Sequence, residues 1–326
     1  MMTRFFKNWF QPPEFARYEL FFMRLLFALV VWDILPSTVT LTEQPHPAGL
    51  AHFFDFGFFA NPGFYKSCRI AMVAALVLYA IGRWMWIALP IMFFVLLGPG
   101  TLEASQNSPK HSTQVIAMIV MVQSIWYVMA RIRRGREGAK GGEESRERHS
   151  LAAFFSMQTI AASYVVSALS KIMAEGNWLL GAMKNYPLQM IKTARQNHYN
   201  TLEPPKEAAR EGILGTIAEW VQPLFAPMEQ ALMHSAMWRG ALLGSGFLLE
   251  LLAVFALVGR KSAAFFGASL VFFHFAIYMV MGLKFQYHMA ALIIFFIGVP
   301  YWLARGIQKT RSGDSSPQTT KSTQAD

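Results

Sequence analysis

A lysine closes the apolar run from Leu151 to Met173: the stretch reads Tyr164-Val-Val-Ser-Ala-Leu-Ser-Lys171-Ile-Met, with Trp178 and Gly181 just beyond. An ammonium in or near hydrocarbon costs about 2.5–3.5 kcal/mol on insertion scales, so an ionisable group there marks a functional site by default. An amine held among apolar side chains gives up its proton readily and can serve as a general base. Tyr164, Ser167 and Lys171 fall at i, i+3 and i+7 and share one helical face. The plainer alternative is that the flexible lysine stem carries its charge to the lipid headgroups, and position alone does not choose between the two.

Other polar residues interrupt the apolar runs. Arg24 and Asp33 share a first helix but lie about 13 Å apart along its axis, too far to pair, so each needs a partner from another helix and the bundle interior is polar in places. Glu250 has no lysine or arginine within a helical turn, so it is neutral, paired across helices or open to a water-filled cavity, with Arg24 as the simplest structural partner. His274 lies near the middle of a later run with Tyr278 one turn on; an isolated intramembrane histidine is more often an interhelical hydrogen bond than a ligand. His111 opens the fourth apolar run in Lys110-His111-Ser112, and His288 opens the eighth. His46, His52, His111, His274 and His288 show no paired ligand spacing, so no metal site is expected. The single cysteine, Cys68, excludes an intramolecular disulfide and thiol-pair redox chemistry.

The elements that must position these groups are membrane helices. The 326 residues are 54% hydrophobic and 14% aromatic, with a mean hydropathy of +0.32, which places the chain among membrane proteins. The apolar runs predict an all-α, polytopic helical bundle of about eight crossings: Leu20 to Leu35, Arg69 to Trp86, Ile87 to Leu97, Gln114 to Ala130, Leu151 to Met173, Gly240 to Val258, Ser262 to Leu283 and Phe285 to Leu303. The second and third are nearly continuous, which implies a tight hairpin or a re-entrant segment. Basic residues collect on one side, above all in the cluster from Arg131 to Arg148, while Lys66, Lys110 and Lys284 occupy the short loops of the other. Both termini are therefore expected in the cytoplasm, and the long loop 174–239 outside. That loop is expected to carry amphipathic helices over 178–196 and 213–238, as surface packing or as a substrate lid.

Residues 1–17, with Phe5, Phe6, Trp9, Phe10 and Phe15 among Arg4, Lys7 and Arg17, predict an interfacial helix broken at Pro12-Pro13. The main membrane domain covers 18–307, and 308–326 has the composition of a disordered polar tail. The net charge of +10 sits mostly beside the apolar runs, where anionic lipid headgroups account for it, so the bilayer is the expected partner and nucleic acid is not.

The order Arg24-Leu-Leu-Phe-Ala-Leu with Asp33, then Asn107 and His111-Ser112, Tyr164 through Ser-Lys171-Ile, Trp178 with Gly181, Glu250, and Phe272-Phe-His274 resembles the transmembrane region of the vitamin K-dependent gamma-glutamyl carboxylase family. More broadly it resembles the bacterial HTTM domain proteins, over about Arg24 to Ile297. The resemblance implies that Lys171 is the base that deprotonates a reduced quinone, either menaquinone or vitamin K hydroquinone. In the carboxylases the resulting anion reacts with oxygen to give a stronger base, which removes a glutamate gamma proton before carbon dioxide adds. It also implies that His111 acts with Lys171, that His274, Tyr164 and Trp178 contact the quinone, and that Arg24, Asp33 and Glu250 hold the polar interior. It further implies a bacterial inner membrane.

The chain departs from that family in four ways. It has a polar tail in place of the large lumenal domain, three residues between Asn107 and His111, one lysine before Ile172 where the family has two, and a longer segment between Lys171 and Trp178. The implied chemistry is therefore a quinone-linked, carboxylase-like lyase reaction, with carboxylation of glutamyl peptides left open. Two alternatives stand beside it: a non-carboxylating maturation or export factor for a secreted peptide, and a structural membrane partner protein in which Lys171 snorkels. Loss of assembly on changing Lys171 would favour the last.

Overall fold

A computed structural model of the chain describes residues 13–41, 47, 49–105, 111–137, 146–174, 220–221, 223–224, 226–228, 230–231, 234–281, 285–302 and 305. Among them the protein is all-helical, without strands. The elements are α1 (Arg17–Ile34), α2 (Pro62–Ile81), α3 (Met85–Ser105), α4 (His111–Glu137), α5 (Arg146–Ala174), α6 (Ala236–Leu251), α7 (Arg260–Met281) and α8 (Gln286–Ala291). A 3-10 segment, Leu252–Val258, extends α6, and a π-helical turn, Leu292–Ile297, extends α8.

Six helices among the described residues are long and apolar enough to cross a membrane, the make-up of a multi-pass membrane protein: Pro62–Ile81, Met85–Ser105, Thr113–Arg133, Arg146–Met173, Ala236–Val258 and Arg260–Met279. Of the eight crossings expected, α1 is diluted by Arg17, Glu19, Arg24 and Asp33, and the apolar helix Gln286–Ile297 is only about 18 Å long. The expected external-loop helix over 178–196, the tail 308–326 and residues 1–12 of the N-terminal segment lie outside the described residues.

The second and third runs form a tight hairpin, and both are longer than the hydropathy pattern suggests. Asn61 caps α2 by accepting hydrogen bonds from the backbone N–H of Gly63 and Phe64, at 3.0 and 3.1 Å, and Pro62 is preset for the first turn. The helix therefore begins well before Arg69. It ends at Gly82, whose φ of 73° is left-handed, and a Cβ there would lie 2.9 Å from a guanidinium nitrogen of Arg24. α3 continues through Pro90 and Pro99 instead of stopping at Leu97, as proline is tolerated in helices whose neighbours re-satisfy the backbone. α1 stops at the residues preceding Pro36, which disfavours helical geometry before it.

Antiparallel neighbours pack in chain order, α1 on α2, α2 on α3, α3 on α4 and α4 on α5. α5 also touches α6, its 3-10 extension, α1 and the π-turn, and so occupies the middle of the bundle. The core is a stack of large apolar side chains, among them Phe27, Tyr79, Met72, Leu89, Met92, Ile119, Ile160 and Leu270. Phe27 packs edge-on to Phe295 of the π-turn at 5.3 Å and faces Tyr79 at 6.0 Å. The opposite face of α2 exposes Ile70, Val73, Val77 and Ile81 at helical spacing, a continuous apolar ridge of the kind a bilayer covers.

Close approach at Gly98 supplies a direct test of this packing. A Cβ added there would sit 2.0 Å from the ring of Phe59, which is fully buried and cannot swing away. Gly98→Ala should lower the thermal stability of the purified protein by about 1–3 kcal/mol. Gly100→Ala, on the exposed side of the same helix with nothing within 4 Å, should leave it unchanged or slightly raised.

Candidate functional site

Lys171 turns inward. Its Nζ donates to Glu250 Oε2 at 2.5 Å, forming an ion pair that ties the end of α5 to α6. The glutamate side chain is 7% exposed and the lysine 34%, so the carboxylate is withdrawn while the lysine side chain is partly exposed. Ser167, one turn before Lys171, donates to the same oxygen at 3.4 Å. Among the described residues, hydrogen bonds to Glu250 converge on Oε2, which leaves Oε1 able to accept from another donor. Glu250 is thus paired across helices, with Lys171 where the sequence offered Arg24.

Tyr164, on the face it shares with Ser167 and Lys171, hydrogen-bonds His274 of α7 through its hydroxyl and the histidine Nε2 at 2.7 Å. Both side chains are buried. His274 Nδ1 is buried too and has no hydrogen-bond partner among the described residues. A buried ring nitrogen in that condition is uncommon and calls for a polar partner. The His274 ring also lies against Phe285 at 4.8 Å and His288 at 5.8 Å, and His288 stands edge-on to Tyr164 at 6.2 Å. α5, α6, α7 and α8 therefore bring Lys171, Glu250, Ser167, Tyr164, His274 and His288 to one end of the bundle.

Ser167 and His288 enter the site without having been assigned to it from the sequence. Ser167 was legible as a member of the Tyr164–Lys171 face. His288 was not, because its place beside His274 depends on how α8 folds back after residues 282–284. His111 opens α4 at the same end, where α8 packs against α4, but its side chain is outside the described part of the structure, as is Trp178. No group of three or more potential metal ligands occurs among the described residues.

The remaining charged residues sit elsewhere. Arg24 Nε donates to the carbonyl of Ala80 at 3.4 Å. It lines a small cavity of about 20 Å³ with Tyr79, Gln123, Tyr127 and His149. In the same layer Gln123 donates to Ser156 at 2.7 Å and Tyr127 is hydrogen-bonded to His149. Asp33 is exposed and accepts from Tyr287 at 3.2 Å. A second ion pair joins Arg260 of α7 to Glu19 of α1 at 2.6 Å, with the guanidinium between the rings of Phe15 and Tyr301.

On the face of α5 opposite Tyr164, Ser167 and Lys171, the side chains of Val166, Leu169 and Met173 are exposed at helical spacing. No family model, curated protein or solved structure matches the chain.

The coupling between Lys171 and Glu250 can be measured by a double-mutant cycle. Removing one partner of a fully buried pair costs about 3–5 kcal/mol, and partial exposure of Lys171 reduces this to roughly 1–3 kcal/mol by solvent screening. Lys171→Met alone should lower the unfolding temperature, and adding Glu250→Leu should restore most of the loss. Additive losses would show that the two side chains are not coupled.

Proposed function

We propose that the Lys171–Glu250 pair is the proton-accepting centre of a membrane enzyme acting on a lipid-soluble reduced quinone. The observation that carries this reading is the 2.5 Å ammonium–carboxylate contact, with a withdrawn carboxylate whose hydrogen bonds among the described residues converge on one oxygen. The pair carries no net charge. When a quinol hydroxyl breaks its O–H bond, the proton passes to the pair, which then holds an ammonium and a carboxylic acid. The positive charge stays beside the new quinol oxyanion. At 4 Å and an effective dielectric of 20 that attraction is worth about 4 kcal/mol, enough to bias the transfer strongly. In this reading the buried Tyr164–His274 pair, whose Nδ1 has no partner among the described residues, hydrogen-bonds the second oxygen of the ring, with His111 and Trp178 as further contacts implied by the carboxylase-like sequence pattern. Carboxylase-like use of the quinol anion with oxygen fits the same pattern.

The proposal includes the topology: α1 and the α8 helix with its π-turn complete eight crossings, both termini are cytoplasmic, and Lys171 lies toward the external face of a bacterial inner membrane. The basic cluster between α4 and α5 supports that orientation.

The same ion pair favours a second reading, in which Lys171 and Glu250 only lock α5 to α6. Stability alone cannot separate the two, because both require the pair. Turnover can. The purified protein is given reduced menaquinone and oxygen, and binding and epoxide formation are followed. Wild type should bind saturably and form product. Lys171→Ala, and the charge-free Lys171→Met with Glu250→Leu that restores stability, should remain membrane-inserted and lose at least roughly a hundredfold in rate, as expected for loss of a general base. A stable double variant with wild-type turnover, or a wild type that neither binds nor reacts, would leave the structural lock as the account.

A further inference from the structure

We propose that the groove between the end of α1 and the first turns of α2 is a binding site for an anionic phospholipid, with its phosphate at Lys66 and Arg69 and an acyl chain along α2. This stands apart from the chemistry at Lys171. The groove encloses about 460 Å³, within the range of small-ligand sites. Its walls are built: Tyr65 donates to the carbonyl of Pro36 at 2.7 Å, which fixes the segment after α1 against α2. Among the described residues the cavity lining includes two cations, Lys66 and Arg69, and no carboxylate; a carboxylate that acts on the lining is Glu103 of α3, which interacts electrostatically with Tyr65. Asp33, the neighbour of the lining residue Trp32 in sequence, accepts from Tyr287 of α8 instead.

Arg69 is the informative residue. It lies about 10 Å along α2 from Pro62, inside an apolar helix, where a guanidinium needs partners. It stacks on Trp32 at 5.3 Å and donates through Nη1 to the carbonyl of Ser37 at 3.2 Å. Its Nε is buried with no hydrogen-bond partner among the described residues. Arginine's planar fork is suited to a phosphate, and the Nε edge offers one side of a bidentate contact. Lys66, one turn earlier on the same face, is exposed and supplies a second positive charge.

The same face then turns apolar. Ile70 is 64% exposed, and Val73 and Val77 continue the ridge one and two turns further on. Two cations at headgroup depth above an apolar strip complement an anionic headgroup with its chain, rather than a free anion or an uncharged lipid.

The test uses the full-length protein in maltoside detergent, with bound lipid counted by native mass spectrometry. It is titrated in parallel with dihexanoyl-phosphatidylglycerol, dihexanoyl-phosphatidylcholine and inorganic phosphate. Wild type should bind one phosphatidylglycerol saturably and phosphatidylcholine far more weakly, with inorganic phosphate unable to displace the lipid. Each cation removed should weaken binding about fivefold, so Lys66→Gln loses about fivefold and Lys66→Gln with Arg69→Gln roughly twenty-five-fold. Lys261→Gln, an exposed basic residue on α7, should change nothing. Lys66→Gln removes only an exposed side chain, so it reports even if the double variant fails to fold. Equal binding of phosphatidylcholine, displacement by an equal concentration of phosphate, or unchanged affinity in Lys66→Gln would each overturn the proposal.

Discussion

Lipid offers no hydrogen bonds and no counter-charge, so the large polar side chains inside this bundle, unlike serines and threonines that bond back to their own helix, need partners from other helices. That constraint organises the structure. Glu250 is answered by Lys171, His274 by Tyr164, Gln123 by Ser156, Glu19 by Arg260 and Arg24 by the carbonyl of Ala80. None of these partners lies on the same helix. Apolar packing between lipid-covered helices is weakly directional, because hydrocarbon tails cover a leucine as well as another leucine does. The polar contacts therefore set which helices meet and in which register.

α5 carries the largest share of them. Its first half presents Ser156 to Gln123 of α4, and His149 to Tyr127. Its second half presents Tyr164, Ser167 and Lys171 to α7 and α6. The two layers lie on one continuous helix, so a shift of α5 that strained one would strain the other. The 3-10 segment after α6 and the π-turn after α8 both pack on this helix. Such irregular turns rotate side chains out of strict helical register, and in membrane bundles they concentrate where function fixes a side chain.

Much of this was legible in the sequence because hydropathy and helical period act locally. The apolar runs place every long helix, and the i, i+3, i+7 spacing puts Tyr164, Ser167 and Lys171 on one face before any contact is known. Partner choice was not legible. Glu250 could have met Arg24, the only cation in the first run, but Arg24 lies beside Gly82 at the turn between α2 and α3 while Lys171 reaches Glu250. Helix ends were also misplaced where a cap overrides hydropathy, as Asn61-Pro62 does by carrying α2 well past Arg69. His288 needed the fold of α8, which no local pattern encodes.

The Lys171–Glu250 and Arg260–Glu19 ion pairs show why one is a candidate for chemistry and the other is not. At Glu19 the carboxylate is saturated. Both of its oxygens accept from the Arg260 guanidinium, one also accepts the backbone N–H of Ala16 at 2.7 Å, and the guanidinium is held between two rings and bonded to the carbonyl of Glu14. With both oxygens of Glu19 already accepting hydrogen bonds, this pair offers no open acceptor to a substrate. It serves to fasten α1 to α7. At Glu250 the hydrogen bonds among the described residues converge on one oxygen, and a buried histidine nitrogen of the neighbouring Tyr164–His274 pair has no hydrogen-bond partner among the described residues. Stability alone would favour completing those bonds within the protein. The incomplete bonds at Glu250 and His274 therefore distinguish this pair from the saturated contact at Glu19.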